Sequence, residues 1–181
     1  MRIVSFVAVT VLAVAGATAW VIGSEPDWYL RARYPLRYDQ SIRASARVHD
    51  LDPALLAAVV YVESRFDPDA RSDAGAIGLM QLLPETAKGI ALRTGGTRFV
   101  VDDLRDPDLN IRYGSWYLGS LLERYGGVDT ALAAYHAGQG NLDRWLASGS
   151  GIVFPETRAY VSEVERVRDV YADAYPDELA P

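Results

Sequence analysis

The sequence predicts a mainly α fold: one helical domain with at most a very small β element, preceded by an N-terminal apolar helix. Three observations predict it. Asp52-Pro53 and Asp106-Pro107 each place a capping aspartate before a proline at the first helical position, a strong helix-start signal. Glycines close the segments that follow, at Gly126-Gly127 and Gly138, where a helix C-terminus favours a residue free of Cβ. Candidate strands are confined to residues 77–82 and 99–101. A chain of 181 residues builds one well-cored domain with little left over.

In chain order, residues 1–23 come first, with Ile3 to Ile22 almost unbroken apolar sequence and Arg2 the only charge before Glu25. About 20 apolar residues suffice to cross a bilayer as a helix. Ala17-Thr18-Ala19 also offers a signal-peptide cleavage site, so signal-anchor and signal peptide both stand. Continuation of the run through Trp20, Val21 and Ile22 favours the uncleaved anchor. Either one places the rest of the chain outside the cytoplasm. Residues 24–37, with Pro26 and Pro35, read as a connector; residues 38–175 are the expected domain and 176–181 a tail.

Within that domain, residues 38–49 form an amphipathic helix, and Pro53 to Ser64 a helix apolar on nearly all sides, hence central and buried. Residues 67–78 are rich in Asp, Ser, Ala and Gly and read as an ordered loop. A short helix from Pro84 to about Ile90, a longer one from Pro107 to Tyr125, and another over 129–137 follow. A short helical turn over 140–147 and a last helix from Pro155 to about residue 174 complete the domain.

Composition removes several chemistries. With no cysteine there is no disulfide, thiolate nucleophile or cysteine metal site. His49 and His136 lie far apart, without the spacing of a catalytic zinc site. A formal charge of −6 gives no footprint for nucleic acid and no basic patch for anionic lipid.

Glu63 is the residue that chemistry singles out. In a helix starting at Pro53 it shares a face with Leu56, Val59 and Val60. Poor solvation and the negative end of the helix dipole both disfavour its charged form and raise its pKa. A carboxylic acid protonated near neutral pH is what general-acid cleavage of a glycosidic bond needs. Taken alone, the same glutamate is better explained by pairing with Arg65 or Arg71 at a helix end.

The surrounding string decides between them. Glu63-Ser64-Arg65-Phe66-Asp67-Pro68 runs on to Ala70, Ser72 and Gly75-Ala76-Ile77-Gly78-Leu79-Met80-Gln81. It resembles the soluble-type (Slt-like) lytic murein transglycosylases, whose pattern E-S-x-F-[ND]-P-x-A-x-S-x-x-G-A-x-G-L-M-Q is met at every specified position. Downstream, Asn110-Ile111 with Gly114 and Tyr117-Leu118 is similar to the family's N-[IL]-x-x-G-x-x-Y-L helix. Ala134-Tyr135-His136-Ala137-Gly138, with Gly140, resembles A-Y-N-A-G-x-G, and the stretch from Pro155 to Val161 resembles P-x-E-T-x-x-Y-V. The likeness covers about residues 40–172.

This resemblance implies a goose-type lysozyme-like α domain and a residue-by-residue division of labour. Glu63 is the implied catalytic acid, then base. Ser72 would orient the reacting muramic sugar, and Met80 and Gln81 would line the sugar groove. Tyr135 would reach the carboxyl or the adjacent substrate, and Glu156 would stand in the far wall. His136 occupies the position where the family has asparagine. If it contacts substrate or Glu63, activity acquires a pH dependence around pH 6–7; if it only caps its helix, it does not. The implied reaction uses one carboxylate, no protein nucleophile, no cofactor and no metal, and cuts peptidoglycan glycan strands to leave 1,6-anhydro ends. A lysozyme-type hydrolase on the same fold, or a non-catalytic wall-binding module, are the alternatives. The expected setting is the extracytoplasmic face of a bacterial envelope.

Overall fold

The structure, a computed structural model, describes Gly23 and residues 25–180. The apolar run over residues 3–22, with the anchor or signal peptide read from it, lies outside the described residues. Among those described, no helix is long and apolar enough to cross a membrane.

Two compact units divide at Pro35 and Leu36. The first contains helix α1 (Asp27–Arg33), which lies in the stretch expected as a connector. Its acidic start at Asp27 and basic end at Arg31 and Arg33 complement the helix dipole.

The second unit is helical, as the punctuation in the sequence predicts. Helices α2 (Asp39–His49) and α3 (Pro53–Ser64) precede the 65–83 segment, which leads into α4 (Pro84–Thr94). A 3-10 turn (Val101–Arg105) replaces the strand expected near Phe99–Val101. Helices α5 (Pro107–Tyr125), α6 (Val128–Ala137), α7 (Gln139–Ser148) and α8 (Pro155–Ala174) complete the unit. Its β content is two isolated antiparallel bridges, Arg71 with Ile77 and Ile77 with Leu82.

Helix α3 is the axis. Every residue from Pro53 to Tyr61 is buried, because α8 packs along one side and α2 along another. Asp52 starts it as expected, its carboxylate accepting from the Ala54 amide at 2.9 Å. The other Asp52 oxygen takes the Arg168 guanidinium of α8 at 2.5 Å, tying the two elements together. At the far end Arg65 and Phe66 both adopt positive φ (52° and 62°), which reverses the chain just beyond Glu63. Two consecutive non-glycine residues in that region are strained. Burial of the Phe66 ring against Tyr61 and Tyr171, with centroids 6.4 and 6.2 Å away, offsets the cost.

Helix α6 sits between α5, α7 and α8, which brings residues 135–138 opposite the end of α3. A smaller apolar cluster of Ile77, Leu82, Ala87, Ile90, Leu104 and Tyr113 supports the segment between them.

Candidate active site

The end of α3, the 70–86 segment and the end of α6 enclose a cleft of about 420 Å³. Glu63, Ser72, Gln81, Leu83, Thr86, Tyr117, Tyr135 and His136 are among the residues lining it. Sequence positions as distant as 63 and 136 thus meet at one surface.

The 70–86 segment is held in shape by a buried amide. Asn110 of α5, fully buried, accepts from the Met80 amide at 2.8 Å and donates to the carbonyls of Ile77 (3.0 Å) and Leu104 (2.8 Å). Gly78 lies at φ 79°, and a Cβ there would collide with Asn110 and the Leu104 carbonyl. That close approach is why the position needs glycine. From the other side Ser64 donates to the Leu79 carbonyl at 2.8 Å, fastening the segment to the residue after Glu63.

Glu63 is only partly exposed. Tyr160 of α8 donates to its Oε1 at 2.7 Å. Burial pushes the Glu63 carboxyl up to about 7, with the Tyr160 hydrogen bond acting the other way. The apolar face foreseen in the sequence is present: Leu56, Val59 and Val60 are fully buried. Arg65 is not its partner. The Arg65 guanidinium lies over the Tyr61 ring and donates to its hydroxyl at 2.9 Å.

The other expected residues fall into place unevenly. Ser72 lines the cleft while its hydroxyl accepts from the Ala76 amide at 3.0 Å. Gln81, at φ 46°, also lines it, and its amide nitrogen donates to the Ala70 and Gly78 carbonyls at 3.1 and 3.0 Å. Met80 differs from expectation: its side chain is fully buried and fills the space left by Gly114, where any Cβ would collide with it. Leu83, 44% exposed, presents the apolar surface to the cleft instead. Tyr135 lines the cleft too, but its hydroxyl donates to the Met80 carbonyl at 2.6 Å rather than to Glu63. Glu156 is exposed and does not line the cleft; it lies near enough to His136 to favour the charged imidazole.

His136 contacts more than its own helix. Its ring stacks on Tyr160 with centroids 4.5 Å apart, and Nδ1 pairs with the buried Thr157 hydroxyl at 3.1 Å. Tyr160 is the residue that sequence reasoning misses: its only signal there is membership of the 155–161 string. Among the described residues no cluster of three or more His, Asp or Glu is placed to hold a metal ion.

Comparison with known proteins identifies the family. The family model for the transglycosylase SLT domain matches residues 40–151. The chain belongs to the transglycosylase SLT domain family. Among SLT-domain relatives, the transglycosylase of Enterobacteria phage PRD1 is 43% identical over 112 residues, covering 62% of this chain and 38% of its own. The soluble lytic murein transglycosylase of Salmonella typhimurium is 32% identical over 153 residues, 75% of this chain and 23% of that protein. The crystal structure of the 70 kDa soluble lytic transglycosylase of Escherichia coli superposes with a TM-score of 0.76 at 29% identity, covering 89% of this chain and 28% of that one. The SLT-domain fold here is therefore the mainly α, lysozyme-like one of those transglycosylases. The chain spans between 23 and 38% of the length of these curated relatives.

Proposed function

We propose that this chain is a peptidoglycan lytic transglycosylase that cleaves the β-1,4 bond between N-acetylmuramic acid and N-acetylglucosamine, with Glu63 as acid and then base. One observation carries the reading: among the described residues Glu63 is the single carboxylate lining the cleft, held at a pKa of about 7. Two-carboxylate glycosidases need a second acidic group on the opposite side of the sugar. Here the wall facing Glu63 offers Ser72, Gln81 and Thr86, which bind and orient but do not attack.

The chemistry follows from that inventory. Protonated Glu63 gives its proton to the bridging oxygen as the C1–O bond breaks. The carbonyl oxygen of the substrate's own N-acetyl group bonds to C1 and replaces the missing protein nucleophile. Glu63, now a carboxylate, takes the proton of the C6 hydroxyl, and O6 displaces the acetyl oxygen from C1. The product is a 1,6-anhydro end, no water is consumed, and Glu63 is protonated again. An internal hydroxyl held near C1 has a large advantage over water. Tyr160 steadies the carboxylate between the two steps through its hydrogen bond.

Several expectations join this proposal. The catalytic domain spans residues 38–175, acts without cofactor, and works in the cell envelope on glycan strands, secreted or tethered by the N-terminal apolar segment. Relatives named membrane-bound lytic murein transglycosylase F, such as the Stutzerimonas stutzeri protein at 38% identity over 133 residues, support that setting. Mass spectrometry of digested peptidoglycan tests the reaction. Anhydro-muramic ends are expected; reducing ends alone would mean a lysozyme-type hydrolase.

A further inference from the structure

His136 is joined to both the carboxyl and the substrate space. Its ring lies 4.5 Å from that of Tyr160, whose hydroxyl meets Glu63 at 2.7 Å. Its Nδ1 is fixed on Thr157, so the ring cannot turn freely, and the same side chain lines the cleft beside Glu63. We propose that His136 is a positioning residue that sets the acid limit of the activity: neutral, it holds Tyr160 against Glu63, and charged, it opposes cleavage. The inference rests on the transglycosylase reading above.

Glycosidic cleavage builds positive charge on the sugar ring in an oxocarbenium-like transition state. An imidazolium in the wall of the same partly dehydrated cleft repels that charge.

The groups around His136 leave little to counter its charge. From α6 itself comes Tyr135; from α5, Tyr117; from α3, Glu63; from α8, Tyr160, Thr157 and the exposed Glu156. The 70–86 wall adds no charge to the cleft lining. In α7, Asp143 is taken up by Arg124 and Arg144 bonds Asn141. Burial lowers the His136 pKa from 6.5 and Glu156 partly offsets it. The imidazole therefore charges only below the value at which Glu63 takes its proton. Full activity occupies the window between them, with Glu63 protonated and His136 neutral.

The test is kcat against pH from 4.5 to 8 on purified glycan strands, for the full chain and for His136→Asn and His136→Phe, with folding checked by circular dichroism. Wild type should lose activity on the acid side, approaching roughly tenfold per pH unit below the imidazole midpoint, the slope of one ionisation. Both variants should lack that limb while keeping the alkaline one, so their kcat relative to wild type rises several-fold or more as pH falls from 6.5 to 5. The Phe variant keeps the stack without the charge and covers a misfolded Asn variant. A pH-independent ratio, or an acid limb present in either folded variant, would overturn the role of His136 alone. Absence of anhydro products from wild type at every pH would instead overturn the transglycosylase reading, and this one with it.

Discussion

Tyr160 donates its hydroxyl to Glu63 across 97 residues of sequence, at 2.7 Å. The bond lowers the carboxyl's pKa while burial raises it, and burial is the larger effect. Loss of the hydroxyl in Tyr160→Phe therefore moves the Glu63 pKa further up, and the alkaline fall in activity shifts above pH 7. A hydrogen bond to a charged group contributes about 1.5–3 kcal/mol, so kcat should drop roughly 10- to 100-fold. A pH–rate profile of the variant checks both. An alkaline midpoint that stays put or falls would contradict the assignment.

The raised pKa of Glu63 also has a signature in stability. Between pH 4.5 and about 7 the folded chain keeps a proton that the unfolded chain has released, so folding stability falls as pH rises through that window. Glu63→Gln does not titrate and escapes the loss. Its stability gain over wild type should be absent near pH 4, grow up to pH 7 and level off at about 2 kcal/mol, allowing for partial exposure of the carboxyl. Thermal unfolding at pH 4 and pH 8 measures it, with roughly 4–8 °C expected at the higher pH.

Met80 and Leu83 should separate cleanly under substitution. Met80→Ala empties a packed position against Gly114 and should cost about 2–5 kcal/mol of stability. Leu83→Ala, at an exposed cleft position, should cost less than about 1 kcal/mol but raise KM for glycan strands several-fold. Denaturant unfolding and steady-state kinetics on the two variants decide it. A stable Met80→Ala with a raised KM would reverse the roles given to these residues.

Asn110 is the third structural test. Asn110→Ala leaves the Met80 amide and the Ile77 and Leu104 carbonyls without their buried partner, a loss of about 3–5 kcal/mol. Activity should fall as well, because the 77–82 segment carries Gln81 into the cleft. Chemical unfolding with a parallel rate measurement shows whether the two losses go together.

What the sequence reveals and what it conceals follow the range of the interactions. Asp52-Pro53 and Asp106-Pro107 mark helix starts because a cap and its amide lie within three residues of each other. Both carboxylates bond the expected turn. The apolar run of α3 shows in the same way that the helix is buried. Asn110 acts on Met80 and Ile77, 30 and 33 residues back, so no local pattern states its task. Tyr160 acts on Glu63 from the last helix, 97 residues on, so no local pattern states its task either. Met80 and Leu83 are both apolar, and their type alone does not say that Met80 packs on Gly114 while Leu83 lines the cleft.

The most direct measurement of the central claim is turnover of purified peptidoglycan by Glu63→Gln, with folding confirmed by circular dichroism and products read by mass spectrometry. The variant should stay folded and release anhydro-ended fragments at least a thousandfold more slowly than wild type, about 4 kcal/mol of lost transition-state stabilisation. Equal release of such fragments by wild type and variant would show that Glu63 is not the group that moves the proton.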